Sequence, residues 1–242
     1  MTAHRVVVIT GAAGGVGREL VQRFLANGDH VIATDLTENG LATLGSGDTL
    51  STIAADLSTE DGVTAVADFA RSSAGRVDVL VNCAGWFPIL PFEELSIADW
   101  RRVVDVNLTG YFLVTKAILP LMKDLGTGRI INFGSGSVFA GVPDQTHYVA
   151  AKAGIAGFTR SLARSVGKYG ITVNLVTPGI TVTDAVRTSF PPEVLAGARQ
   201  RRAIQRDEVA ADLVGPVFFL ASDDAAFITG QTLNVDGGTH LL

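Results

Sequence analysis

The chain has 242 residues, 47% of them hydrophobic and 18% charged, with a formal net charge of −5. This composition fits a globular protein with a well-buried core and excludes a disordered chain. The acidic balance and the absence of a basic run argue against nucleic acid or an anionic membrane as a partner. No apolar run reaches membrane-spanning length, and the N-terminus, MTAHRVVVIT, lacks a signal-peptide pattern.

Cysteine and histidine usage bounds the chemistry further. The single cysteine, Cys83, excludes an internal disulfide and fits a reducing, cytoplasmic location. Metal-ligand spacing is missing from the four histidines, so no metal site is predicted. They are His4, His30, His147 and His240.

Short β-branched runs alternate with helical patterns along almost the whole chain. Strands are predicted at 5–10, 30–35, 51–55, 77–82, 129–134, 171–176 and 232–235, and helices at 15–27, 60–74, 96–124, 144–168 and 207–222. The strands are continuous apolar runs, which is typical of strands covered on both faces. Since no linker or repeat divides the chain, residues 1–242 are predicted to form one α/β domain with a doubly wound parallel sheet of about seven strands.

One segment, 181–206, interrupts this alternation. It is polar, contains Pro191 and Pro192, and carries five arginines, at 187, 199, 201, 202 and 206. A connection of this length without a strand is usually either disordered or functional. The preferred interpretation is a partly helical lid over an active site.

A glycine-rich turn, TGAAGGVG, follows the first predicted strand and opens the first helix. Glycine permits close backbone approach, and a helix N-terminus offers free N–H groups and the positive end of the helix dipole. The turn is therefore predicted to bind a pyrophosphate, although a tight turn without a ligand is the alternative. The residues concerned are Gly11, Gly14, Gly15, Val16 and Gly17.

Polar or small residues end the next three predicted strands. Asp35, followed by Leu36, can accept hydrogen bonds from both ribose hydroxyls of an adenosine and repels a 2′-phosphate, which favours NAD over NADP. The alternative is an aspartate that only caps the next helix. The other predicted cofactor contacts here are Asp56 and Leu57 at the adenine, and Asn82, Ala84 and Gly85 beside a flat ring.

The stretch HYVAAK sets Tyr148 and Lys152 four residues apart, so a helix brings them to one face. One interpretation is a half-exposed pair on an ordinary helix. The other is a tyrosine acid/base whose pKa the nearby positive charge lowers. The motifs elsewhere in the chain favour the second interpretation.

Seven motifs occur in a fixed order: TGAAGGVG, Asp35, NCAG, Asn107, Ser135, YVAAK and PGITVT. Together they resemble the short-chain dehydrogenase/reductase family, and the resemblance runs from Arg5 to the terminal FITGQTLNVDGG. It implies a Rossmann-type fold and hydride transfer between NAD(P) and a carbonyl or alcohol carbon. In this family, helices such as 96–124 and 144–168 form subunit interfaces, so a homotetramer is expected, with a dimer as the alternative.

The resemblance also implies roles for individual residues. Ser135 would hydrogen-bond the substrate oxygen, Tyr148 would be the acid/base, and Lys152 would hold the nicotinamide ribose and lower the pKa of the tyrosine. Asn107 would bend its helix and hold a water that joins Lys152 to a proton relay. The nicotinamide end would contact Pro178, Gly179, Ile180 and Thr183.

In this family the residues after NCAG and after Ser135 shape the substrate pocket. Here they are largely apolar and suit a hydrophobic ketone or secondary alcohol, as in 1-phenylethanol-type dehydrogenases. A 3-oxoacyl reductase is an alternative, but Leu125-Gly126 and Tyr169 stand where such enzymes carry basic residues. A polyol or steroid dehydrogenase and a non-enzymatic NAD-binding protein also stay open. The predicted pocket residues are Trp86, Phe87, Ser137, Val138, Phe139, His147, Val186 and Phe190, and Ser137 competes for the role of Ser135.

Overall fold

The computed structural model describes residues 5–241 and contains a seven-stranded sheet in which every neighbouring pair is parallel. The strand order is β3-β2-β1-β4-β5-β6-β7, so the direction of winding reverses between β1 and β4. A ligand crevice forms at such a reversal, outside the carboxyl ends of the strands. The strands are β1 Val6–Thr10, β2 His30–Asp35, β3 Leu50–Ala54, β4 Val79–Asn82, β5 Gly128–Phe133, β6 Ile171–Pro178 and β7 Thr232–Val235.

Helices cover both faces of the sheet, because side chains of successive strand residues point to opposite faces. Val7 and Ile9 of β1 belong to one hydrophobic cluster, with helices α1 and α10, whereas Val6 and Val8 belong to a second cluster, with α3, α5 and α7. The helices are α1 Gly15–Ala26, α2 Glu38–Ala42, α3 Glu60–Ser73, α4 Ile97–Val104, α5 Gly110–Lys123, α6 Ser137–Ala140, α7 Thr146–Val166, α8 Asp184–Ser189, α9 Pro192–Arg201 and α10 Ala210–Leu220.

The predicted fold class, a single doubly wound parallel sheet, is confirmed, and the differences are local. Strand β4 begins at Val79, two residues after the predicted start. Helix α2 was not predicted, because its five residues are too few to show a helical period and it is set by a cap in which Thr37 accepts a hydrogen bond from the Gly40 N–H. The predicted helix 96–124 consists of α4, a π-helical turn at Asp105–Thr109, and α5.

The composite helix also bears on the expectation that no apolar run reaches membrane-spanning length. Within residues 5–241, the stretch Ile97–Lys123 is long and apolar enough to cross a membrane, judged by length and composition. However, Val114, Ile118 and Met122 are buried in the cluster that α5 shares with α3 and the sheet. Packing against the sheet therefore accounts for the apolar composition of this helix.

The segment 181–206 forms α8 and α9 and is fixed at both ends. Near its start, Thr181 Oγ1 donates a hydrogen bond of 2.6 Å to Glu208 Oε1. Near its end, the buried Arg202 donates from Nη2 to Ile180 O at 2.8 Å. The segment is thus helical and anchored beside the end of β6, and its role as a lid remains a prediction.

Candidate active site

The carboxyl ends of the strands border a cleft of about 1110 Å³. The glycine turn, the ends of β2 to β6, helix α7 and the segment 181–206 all contribute to its lining. Every predicted cofactor residue except Asn82 lines the cleft, and so does every predicted catalytic residue except Asn107. Residues separated by more than a hundred positions in the sequence therefore share one site.

The glycine turn is packed too closely against neighbouring protein atoms to accept side chains. Gly11 has φ +65°, and a Cβ on it would lie 2.7 Å from Ala84 Cα. A Cβ on Gly17 would lie 2.1 Å from Gly11 O, and one on Gly15 would lie 2.6 Å from Thr183 Cγ2. Gly14 is the N-cap of α1 and has no side chain, so the first N–H groups of the helix have no side-chain partner there. This arrangement fits a dinucleotide pyrophosphate.

Asp35 is held rigidly at the adenosine end of the cleft. Its Oδ2 accepts a hydrogen bond from Ala13 N at 2.9 Å, and its Oδ1 accepts one from Leu36 N at 2.7 Å. Asp56 Oδ1 accepts bonds from the hydroxyl and the N–H of Ser58, which lower the pKa of Asp56 against a small opposing effect of burial. The adenosine end therefore carries two fixed carboxylates that can accept hydrogen bonds.

Lys152 is a buried ammonium on the floor of the cleft. Its Nζ donates to the hydroxyl of Tyr111 and to Phe133 O, each at 3.0 Å. Burial lowers the pKa of Lys152 to about 8. Lys152 is thus a cation close to its titration point at neutral pH.

Tyr148 lines the same cleft, and its environment corrects one expectation. Burial raises the pKa of Tyr148, and a hydrogen bond with Ser135 partly offsets that rise. The lowering expected from Lys152 is not found, because the amine lies 5.9 Å from the centre of the Tyr148 ring and directs two hydrogen bonds elsewhere. A lowered pKa of Tyr148 would require a further positive charge in the cleft.

Ser135 and Ser137 both line the cleft and form a pair. Their hydroxyl oxygens lie 2.8 Å apart, and Ser137 N donates to Ser135 Oγ at 3.2 Å. The turn between them is fixed because Gly136 N donates to Pro178 O at 2.7 Å. The hydroxyl of Ser135 is therefore oriented by Ser137, and of the two serines only Ser135 affects the pKa of Tyr148, which it lowers.

Asn107 lies at the centre of the π-helical turn and is fully buried. Its Nδ2 donates to Trp86 O at 2.7 Å and to Val103 O at 3.0 Å, and its Oδ1 accepts from Trp86 N at 3.2 Å. Asn107 therefore holds the loop after β4 and does not itself line the cleft.

The prediction for Asn82 is corrected in a similar way. Asn82 is 1% exposed, and its Nδ2 donates to Asn132 Oδ1 at 2.9 Å and to Thr115 Oγ1 at 3.1 Å. These bonds turn the side chain into the core between β4 and β5. Asn82 thus supports the strand end from below and does not line the cleft.

Three predicted pocket residues, Val138, Phe139 and His147, do not line the cleft. His147 is fully buried. Neighbouring residues on a helix point about 100° apart, so His147 turns into the interior when Tyr148 faces the cleft. Phe139 is exposed and packs against the ring of His240 at 5.6 Å. Val138 is half-buried in α6. The predicted Trp86, Phe87, Ser137, Val186 and Phe190 do line the cleft.

Several residues around the site were not predicted. Gln145 lines the cleft and donates from Nε2 to Phe87 O at 3.2 Å, and the guanidinium of Arg102 lies 4.8 Å above the ring of Trp86. His240 lines the substrate end, with Nδ1 held 2.8 Å from Asp236 Oδ2. Helix α4 supplies Arg102, whereas Gln145 precedes α7 and His240 lies in the C-terminal turn, and no local sequence pattern marks them.

The buried Lys152 leads to a prediction for stability. Its pKa is about 8 in the folded protein against 10.5 for an exposed lysine, so the unfolded chain binds more protons between these values. Stability must therefore rise with pH in this window. We expect the free energy of unfolding to rise by up to about 3 kcal/mol relative to a Lys152→Met variant. Urea unfolding of both proteins from pH 7 to 11 measures this difference. If the free energy of unfolding had the same slope against pH in both proteins, that would contradict the burial of a charged amine.

Comparison with known proteins agrees with this geometry. A family model described as Enoyl-(Acyl carrier protein) reductase matches residues 11–240. The chain is 34% identical over 248 residues to acetoacetyl-CoA reductase of Acinetobacter sp. (strain RA3849), covering 100% of both chains. It is 35% identical to 3-oxoacyl-[acyl-carrier-protein] reductase FabG of Haemophilus influenzae, covering 98% of both chains. A solved glucose/ribitol dehydrogenase of Brucella melitensis matches with a TM-score of 0.92 and 32% identity, over 98% of this chain and 97% of that one.

The cleft, the sheet and these relatives define an oxidoreductase with a nicotinamide cofactor that acts on CH–OH or carbonyl groups. The chain belongs to the short-chain dehydrogenase/reductase family.

Proposed function

We propose that this protein interconverts a hydrophobic secondary alcohol and its ketone with NAD(H). The observation that carries the proposal is the convergence of Ser135, Tyr148 and Lys152 on one cleft. Its substrate end is walled by four large apolar side chains, which suit a neutral hydrophobic substrate. These are Trp86, Phe87, Val186 and Phe190.

The choice of NAD over NADP rests on Asp35. Its carboxylate is fixed by two backbone N–H groups, so it cannot easily turn away from a ribose 2′-substituent. When bound, the nicotinamide supplies hydride transfer to or from the substrate carbon. The residues that would hold the dinucleotide are the glycines of the turn, Asp35 and Asp56 at the adenosine, and Lys152, Pro178, Gly179, Ile180 and Thr183 at the nicotinamide half.

The protein's own groups would manage the proton. Ser135 Oγ would donate a hydrogen bond to the substrate oxygen, and Tyr148 would exchange the hydroxyl proton of the substrate. The ammonium of Lys152 would favour the ionised phenol together with the positive charge of an oxidised nicotinamide, because Lys152 alone does not lower the pKa of Tyr148. A positioned general base of this kind accelerates a reaction by about 10²–10⁴-fold.

A second candidate is the reduction of a 3-oxoacyl thioester. Two relatives at 34% and 35% identity are named for such substrates. Tyr169 occupies one of the positions at which 3-oxoacyl reductases carry basic residues. Two lysines lie beside it, since Lys123 and Lys168 are 4.3 and 5.1 Å from its ring. Such a basic surface could bind an acidic carrier, whereas a neutral alcohol has no need of it.

One assay separates the candidates. Turnover is measured with NADH and NADPH on acetophenone, acetoacetyl-CoA and a ketose, and with NAD on 1-phenylethanol and a polyol. The proposal expects the highest kcat/KM for the aryl-alkyl pair with NAD(H). A higher value for the thioester with NADPH would overturn both the substrate and the cofactor of the proposal.

Cofactor choice can be tested at a single position. Asp35→Asn keeps the size of the side chain but removes the charge that opposes a 2′-phosphate. The ratio of kcat/KM with NADH to that with NADPH is expected to fall at least about tenfold. Asp56→Asn, at the end of the neighbouring strand, is the control and should leave the ratio unchanged. An unchanged ratio in Asp35→Asn would remove the basis for NAD selectivity.

A homotetramer in the cytoplasm completes the proposal. Phe112 on α5, Phe219 on α10 and Phe227 after it are exposed, and apolar side chains of this size favour burial between subunits. Light scattering of the purified protein tests the assembly.

A further inference from the structure

The surroundings of Lys152 include a residue with no role in the proposed chemistry, Tyr111. An ammonium has three N–H donors. Two of them bond to Tyr111 and to Phe133 O at 3.0 Å, and since Lys152 lines the cleft, the third is free to face it. Nζ also lies 4.7 Å from the centre of the Tyr111 ring, within range of a cation–π attraction.

The hydroxyl of Tyr111 is itself fixed. It donates its proton to Ala84 O at 2.9 Å, so a lone pair of the oxygen faces the amine. The peptide groups next to this acceptor are held as well, because Cys83 N and Ala84 N both donate to Thr10 Oγ1 at 3.0 Å. Tyr111 is 2% exposed, so water cannot readily replace its oxygen at the amine.

Tyr111 also follows Asn107 by one helical turn, at the start of α5. Asn107 holds the backbone of Trp86, and Tyr111 holds the carbonyl of Ala84 and the amine of Lys152. One helix segment therefore sets both the loop after β4 and the cation on the cleft floor.

We propose that Tyr111 is a positioning residue for Lys152, whose hydroxyl oxygen keeps the amine protonated and aimed at the cleft. The inference rests on the proposed function, in which that cation favours the ionised form of Tyr148. Removal of the hydroxyl leaves the buried ammonium with one protein acceptor. The cation is then less populated, and Tyr148 ionises at higher pH.

The test is the pH dependence of alcohol oxidation in Tyr111→Phe. The midpoint of the rising limb of kcat is expected to move up by about one pH unit. The rate at pH 7 then falls about tenfold and approaches that of the natural protein well above the midpoint. Tyr169→Phe is the matched control, since Tyr169 also lies beside lysines, at the opposite end of the sheet. It should leave the profile unchanged.

A purely structural role predicts a different result. Loss of packing or stability would lower the rate equally at every pH, and that outcome or an unchanged midpoint would overturn the proposal. Tyr111→His, which restores an acceptor near the amine, should recover part of the shift. If neither variant folds, Tyr111 is structural and the proposal is likewise overturned.

A second readout separates this inference from the proposed function. The tyrosinate absorbance of Tyr148, taken as the difference from Tyr148→Phe, can be titrated with NAD bound and without any substrate. Its midpoint should rise by about one pH unit in Tyr111→Phe. A protein that oxidises no alcohol but shows this shift would refute the function and retain the role of Tyr111.

Discussion

Replacing Tyr148 with phenylalanine is expected to lower kcat by about 10²–10⁴-fold for every substrate that the protein turns over. The variant removes only the hydroxyl that exchanges the proton with the substrate. The phenyl ring keeps its edge contact with Phe87, whose ring centre lies 6.4 Å away. Binding of NADH, followed by fluorescence, should change little, because the glycine turn and Asp35 are untouched.

The matched control for this variant is Tyr169→Phe, which removes a phenol hydroxyl outside the cleft. Its kcat should equal that of the natural protein. Retention of more than about a tenth of the activity in Tyr148→Phe would identify another group as the acid/base. In that case Ser135, which lines the cleft with Tyr148, becomes the first alternative.

A single methyl group at Gly17 is expected to weaken dinucleotide binding strongly. The Cβ of Gly17→Ala would lie 2.1 Å from Gly11 O, so the turn must open. Overpacking of this kind costs about 1–3 kcal/mol. The N–H groups that would contact the pyrophosphate are displaced at the same time. The Kd for NADH should rise about 10- to 100-fold, measured by fluorescence titration.

Gly215→Ala is the control for the effect of a methyl group on a helical glycine. A Cβ on Gly215 meets no atom within 4 Å. The variant should therefore bind NADH normally, and alanine should stabilise α10 by about 0.5–1 kcal/mol. Normal NADH binding by Gly17→Ala would mean that the dinucleotide does not use this turn.

The architecture was predictable because its signals are local. Apolar runs of strand length, such as that of β1, and amphipathic patterns between them define a parallel sheet covered on both faces. The parallel direction of the strands places their carboxyl ends at one edge. Asp35, Asp56 and Ser135 follow three different strands, so their convergence on one cleft follows from the fold.

The parts that were missed depend on contacts between distant segments. Tyr111 meets Lys152 across 41 positions, and its apolar surroundings in the sequence suggest only a core residue. His240 reaches the cleft from the C-terminal turn, where Asp236 orients it. His147 was placed in the pocket as one of the residues after Ser135, but it is adjacent to Tyr148 and a helix turns adjacent side chains to different sides. Side-chain direction is thus the information that spacing alone did not supply.

Deuteride transfer tests the central claim most directly. NADH carrying deuterium at nicotinamide C4, in both stereochemical forms, is incubated with acetophenone, acetoacetyl-CoA and a ketose. Mass spectrometry of the alcohol products should find deuterium on the carbinol carbon from one form only, and the initial rate of its incorporation should be at least about a hundredfold lower in Tyr148→Phe. Tight binding of NADH without deuterium in any product would contradict an enzyme that transfers hydride at this cleft.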